Sequence, residues 1–195
     1  MILQLHKRKM ALAGIGMAGF LLIHMLSNLS FFNQASFNQF YGWYNAGFVR
    51  WLVLSLMMIA VVIHVKAAFK IRKVNAKART IDYKQHDKFK IPAPLVTASI
   101  LFLLAFIVIH IIQTLLFDST AVYAELTELF QSEFMVLFYL AGLFVLMMHL
   151  QHSLANVLQT LGKTSVTYQA LVWGSVLFLV GGFALIPLYI YGVML

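Results

Sequence analysis

Of the 195 residues, 62% are hydrophobic and only 10% are charged, a balance that excludes an ordinary soluble domain and points to a bilayer. The formal net charge of +8 does not read as a nucleic-acid surface, because every basic residue except Arg50 falls in one of three places: Lys7 to Lys9, Lys66 to Lys90, and Lys163. The absence of cysteine excludes disulfides, thiolate-held iron–sulfur clusters and haem attached through a Cys-x-x-Cys-His motif.

A helix needs roughly 20 apolar residues to cross a hydrocarbon core of about 30 Å. Five such spans are predicted, at Met10–Ser30, Phe48–Phe69, Ala93–Phe117, Phe134–Leu158 and Tyr168–Val193. Short connections between them predict one all-α domain over residues 1–195, with a four-helix core and a fifth helix packed outside it. The three basic clusters alternate along this topology, so the positive-inside rule places the N-terminus in the cytoplasm and the C-terminus outside. Inner-leaflet lipid accounts for much of the remaining basic excess.

The first span follows Lys7-Arg8-Lys9, has full spanning length and carries His24, so it reads as a retained helix rather than a cleaved signal. Its Gly14-Ile15-Gly16-Met17-Ala18-Gly19 formally matches a dinucleotide fingerprint, but no strand precedes it. Inside an apolar helix such small residues let a neighbouring helix or a flat cofactor approach. The segment Phe31 to Trp43 is expected to be an outer loop, rich in the aromatic and amide groups of a membrane belt. After the second span, Lys70 to Lys90 is expected to be a solvated inner loop that offers a docking surface, with Asn75, Asp82, Tyr83 and Asp87 among its cations. Pro92 and Pro94 suit the start of the third span. Between the third and fourth spans, Val122, Leu126, Leu129 and Phe130 predict a short helix on the outer membrane surface.

His6 and His86 lie in basic segments and are expected at the surface. His24, His64, His110, His149 and His152 lie within spans, where an ionisable side chain is costly and signals function. At a rise of about 1.5 Å per residue, His24 lies about 22 Å outward from Lys9, and His110 roughly 26 Å beyond the start of its outward-running span. His64 and His149, on inward-running spans, lie roughly 9 to 14 Å from the inner boundary. In an up-down-up-down bundle the first and third helices face each other, as do the second and fourth, so each level holds one diagonal pair. Two neutral imidazoles at one depth, between apolar walls, suit a bis-histidine b-type haem, and four spans provide two such sites. A zinc or non-haem iron site fits less well, since no carboxylate lies deep in a span. His149 and His152 share a helix face, and spacing alone leaves open which one binds iron, with His152 also suited to a haem propionate or to supporting a ligand.

With these residues in view, the sequence resembles the dihaem cytochrome b membrane subunits of succinate:quinone oxidoreductases, the five-helix single-polypeptide type of bacterial succinate dehydrogenases and fumarate reductases. The similarity covers nearly the whole chain. His24-Met25-Leu26-Ser27-Asn28-Leu29 looks like the family's His-Leu-x-Gly-Asn-Leu ligand segment, followed by Phe37-Asn38-x-x-Tyr41. His64 is followed by Asn75-x-x-Ala78-Arg79 and Tyr83, similar to the family's inner loop, and His149 with Ser153, Gln159-Thr160-Leu161-Gly162 and Tyr168 is similar to its fourth helix and closing turn. Ser27 stands where many members have Gly, and Met147 where some fumarate reductases carry a proton-transferring Glu.

The resemblance implies two haem b groups held by four axial ligands: His24 and His110 for the distal haem, and His64 and His149 for the proximal one, with His149 favoured over His152. It implies a flavoprotein subunit and an iron–sulfur subunit as partners, a place in a bacterial cytoplasmic membrane, and electron transfer to or from menaquinone or ubiquinone. Dicarboxylate chemistry would belong to the partners and not to this chain. Asn38, Tyr41, Trp43 and Arg50 are the expected quinone contacts, and His152 and Ser27 the expected supporting groups. Two other readings compete: a haem b subunit of a hydrogenase or formate dehydrogenase, and a haem-free transporter whose histidines relay protons. Against the transporter, no pair of interrupted helices recurs in corresponding positions.

Overall fold

The computed structural model describes residues 2–78, 93–160, 162 and 165–193. Seven α-helices are found among them: α1 Ile2–Leu29, α2 Gln34–Asn45, α3 Val49–Ala78, α4 Ala93–Leu116, α5 Val122–Gln131, α6 Glu133–Thr160 and α7 Val166–Val193, with a 3-10 turn at Ser30–Phe32. Five of these helices, α1, α3, α4, α6 and α7, are long and apolar enough to cross a membrane. No strand occurs among the described residues. The chain is an all-α, multi-pass membrane protein, and its spans fall where the charge-free intervals predict.

The predicted outer loop is instead mostly helical. Asn33 adopts an extended conformation and its Oδ1 accepts from the Ser36 amide at 3.0 Å, which caps α2 at the third amide. Phe37 and Tyr41, one turn apart, then turn inward: Phe37 is fully buried and stacks obliquely on Tyr41 at 4.5 Å. Gly47, at φ +74°, ends this helix in the left-handed conformation that a side chain disfavours. The surface helix expected before the fourth span is present as α5, with Phe130 buried and Val122, Leu126 and Leu129 packed on the core.

The chain divides into two compact units: Met1–Ile23 with Asn45–Ile91, and His24–Tyr44 with Pro92–Leu195. In the first unit α1 runs helical from Ile2, which carries the basic cluster into the helix with Lys7, Arg8 and Lys9 exposed. The inner-loop residues Arg79, Asp82, Tyr83, His86, Asp87 and Pro92, and also Leu161 and Lys163, lie outside the described residues. In the second unit α7 packs on α6 and α5, and α4 on α6. Its core joins Phe31, Phe37, Leu103, Phe106, Phe130, Val136, Tyr139, Ile186 and Ile190.

The fifth span was expected outside the core, and within the second unit α7 packs directly on α6 and α5 and buries Val172, Val176, Ile186 and Ile190. Gly182 explains how it approaches: a Cβ there would run into the Met25 side chain, and Met25 is fully buried. Gly142 plays the same part on α6, where an added Cβ would meet the Phe106 ring. Small residues at helix contacts are the usual means of close packing between apolar helices, for which water supplies no driving force.

Candidate haem-binding histidines

His24, near the C-terminal end of α1, and His110, in the last third of α4, come together in the second unit. Their ring centroids are 5.9 Å apart with the planes at 58°. Phe183 of α7 lies against His24 at 5.5 Å, and Phe106, one turn before His110, stacks on that ring at 6.3 Å and 19°. The pair is therefore walled by aromatic carbon. Each histidine lies toward the C-terminal end of its helix.

The spacing bears on what this pair can hold. A metal–imidazole bond is about 2 Å long and the ring centre sits about 1 Å behind the ligating nitrogen, so imidazoles on opposite sides of one metal have centroids about 6 Å apart. Mutual rotation of the rings about their common axis leaves that separation unchanged. No group of three or more His, Asp or Glu side chains gathers among the described residues.

His110 is oriented by its other nitrogen. Its Nδ1 lies 3.3 Å from the Tyr139 hydroxyl, which donates at 2.8 Å to Gln113 Oε1. In the first unit His64 is held in a comparable way: its Nδ1 lies 3.1 Å from the Met10 carbonyl oxygen, and its ring lies against Gly14, where a Cβ would stand 3.5 Å away. A side chain as small as a methyl at Gly14 would make only an ordinary contact with that ring, while Gly16 and Gly19 have no neighbour within 4 Å. The Met10 carbonyl can only accept, so the proton of that ring lies on Nδ1.

His149 and His152 differ in surroundings. His149 is half-buried on α6, whereas His152 is exposed and its Nε2 lies 2.9 Å from Asn156 Nδ2, one turn on. His6, expected at the surface, is instead half-buried, and its Nε2 is enclosed without a hydrogen-bond partner among the described residues. α1 is already helical at this point, and His6 stands one turn before Met10, whose carbonyl meets His64.

Ser27 spends its hydroxyl on the His24 carbonyl at 2.9 Å, and Ser30 Oγ bonds the Ser27 carbonyl at 2.6 Å. Tyr41 donates to Asn28 Oδ1. The four expected quinone contacts differ in setting. Asn38 is exposed and Trp43 is 62% exposed, Tyr41 is turned inward, and Arg50, in the other unit, bonds Asn45 at 3.4 Å and lies over Trp51. Asn28, quoted above only as part of the His24 segment and given no role there, is the partner of Tyr41.

No family model matches the chain, and neither a curated protein nor a solved structure does.

Proposed function

We propose that the chain is the membrane-anchor cytochrome b subunit of a succinate dehydrogenase or fumarate reductase of a bacterial cytoplasmic membrane. In this reading it passes electrons between an iron–sulfur subunit and membrane quinone through two b-type haems. The observation that carries the reading is the facing pair His24 and His110, with centroids 5.9 Å apart in an aromatic setting.

Haem, when bound, supplies one-electron exchange between ferric and ferrous iron. The chain's own residues bind and orient it. His24 and His110 are the proposed axial ligands of the distal haem, with Phe183 and Phe106 excluding water from the imidazoles. His64 and His149 are the proposed ligands of the proximal haem, on their depth in the sequence and on the family resemblance. The hydrogen bond between His64 and Met10 supports the assignment of His64, and the greater burial of His149 supports it over His152. The accessible Trp43 and Asn38 are the residues best disposed to meet a quinone ring, by stacking and by hydrogen bonding. Tyr41 is committed to Asn28 and serves to hold α2.

Purification of the intact membrane complex tests the partners. A flavoprotein and an iron–sulfur protein that copurify with the chain support this assignment. A nickel or molybdenum protein in their place would assign the chain to a hydrogenase or formate dehydrogenase instead.

A further inference from the structure

We propose that Tyr139 and Gln113 are positioning residues for His110, forming a relay in which the imidazole Nδ1–H donates to the phenol oxygen and the phenol donates to the Gln113 side chain. The inference rests on the haem reading above and adds to it a device that tunes one of the two proposed haems.

The direction of each bond follows from what each group has to offer. Gln113 Nε2 points at the Met135 sulfur at 3.5 Å, and a thioether accepts only. That fixes the amide so that Oε1 faces Tyr139, and Oε1 also accepts only. The phenol must therefore give its one proton to Gln113, at 2.8 Å, and can only accept from His110, at 3.3 Å. His110 then carries its proton on Nδ1, and Nε2 is left as the ligating nitrogen. The phenol has little freedom to turn elsewhere. Tyr139 is 8% exposed, with Phe130 edge-on at 4.9 Å and Phe106 edge-on at 5.4 Å. Gln113 lies one turn beyond His110 on the same helix, so the relay closes between α4 and α6 alone.

An acceptor on Nδ1–H makes an imidazole more electron-rich, which favours the ferric state of a metal it ligates. The corresponding bond of His64 goes to a backbone carbonyl, which no side-chain substitution removes. The relay on His110 can be cut by a single hydroxyl.

The test is a redox titration of the purified complex, followed in the ferrous-minus-ferric absorbance. Tyr139→Phe is expected to keep both haems and to raise the ferrous-to-ferric ratio of one of them by about tenfold at a fixed ambient potential, equivalent to about 59 mV for one electron. Gln113→Leu should move the same haem in the same direction by less, and Gln113→Glu, which keeps an acceptor for the phenol, should hold it at or below the wild-type midpoint. The Gln113 pair carries the test if Tyr139→Phe does not assemble. Wild-type midpoints in Tyr139→Phe and Gln113→Leu with both haems in place would overturn the relay and leave the haem reading standing. A wild-type complex without haem would overturn both.

Discussion

Tyr41 carries the clearest electrostatic signature outside the spans. Burial pushes its phenol up from 10.0 to about 12, against a smaller opposing effect of the Ser27 hydroxyl and with a further push from Tyr44. A folded value above the unfolded one means that the fold prefers the neutral phenol. The associated stability is complete below pH 10 and declines as pH rises toward 12. Alkaline difference spectra of wild type against Tyr41→Phe should place this tyrosinate near pH 12, and a titration near 10 would show that Tyr41 is open to water. Asp118 shows the opposite sign at the start of the α5 connection. The Thr120 amide and hydroxyl both donate to its Oδ1 at 2.8 Å, which holds its carboxyl below the ordinary 3.8. Any stability from this turn is present above that ordinary value and is lost as pH falls through the lowered one. Thr120→Ala should return the Asp118 titration part of the way toward 3.8 in a carboxylate-resolved NMR titration.

At the scale of elements, close packing between apolar helices rests on missing side chains. Gly142→Ala drives a methyl into the Phe106 ring beside His110, and overpacking of this kind costs about 1 to 3 kcal/mol. Gly174→Ala, with nothing within 4 Å, should be tolerated. Thermal unfolding in detergent, compared between the two variants, checks this difference, and equal midpoints would mean that the Gly142 contact gives way without cost. The α2 helix shows why the outer segment read as a loop. Phe37 and Tyr41 stand at helical spacing, but Asn, Gln, Ser and Gly between them dilute the apolar pattern, and the Asn33 cap becomes visible only with the helix. The place of α7 was hidden for a related reason: its helix is apolar on every side, so no stripe marks the face against Met25, and Gly182 alone carries that information.

At the scale of the whole molecule, the spans were legible because they depend on runs of apolar residues. The pairing of His24 with His110 was legible too, since equal depth on alternate antiparallel spans follows from residue counting. The groups behind the histidines were not. Nothing in sequence spacing connects Tyr139 to His110, or the Met10 carbonyl to His64, because those contacts depend on helix rotation. His6 was misplaced for the same reason, as a basic neighbourhood says nothing of the face a residue occupies. The orientation makes its own prediction: reporters fused at the two ends should place the N-terminus in the cytoplasm and the C-terminus outside, and the reverse pattern would contradict the positive-inside assignment.

The central claim, that intramembrane histidines hold haem, is tested most directly by a dithionite-reduced minus oxidised spectrum and haem count on the purified complex. The account predicts two b-type haems in the wild type, with His24→Ala and His110→Ala each disturbing one and the same haem, and His64→Ala and His149→Ala each disturbing the other. A wild-type complex with no haem absorbance would contradict it, and loss of a haem in His152→Ala but not in His149→Ala would contradict the fourth ligand.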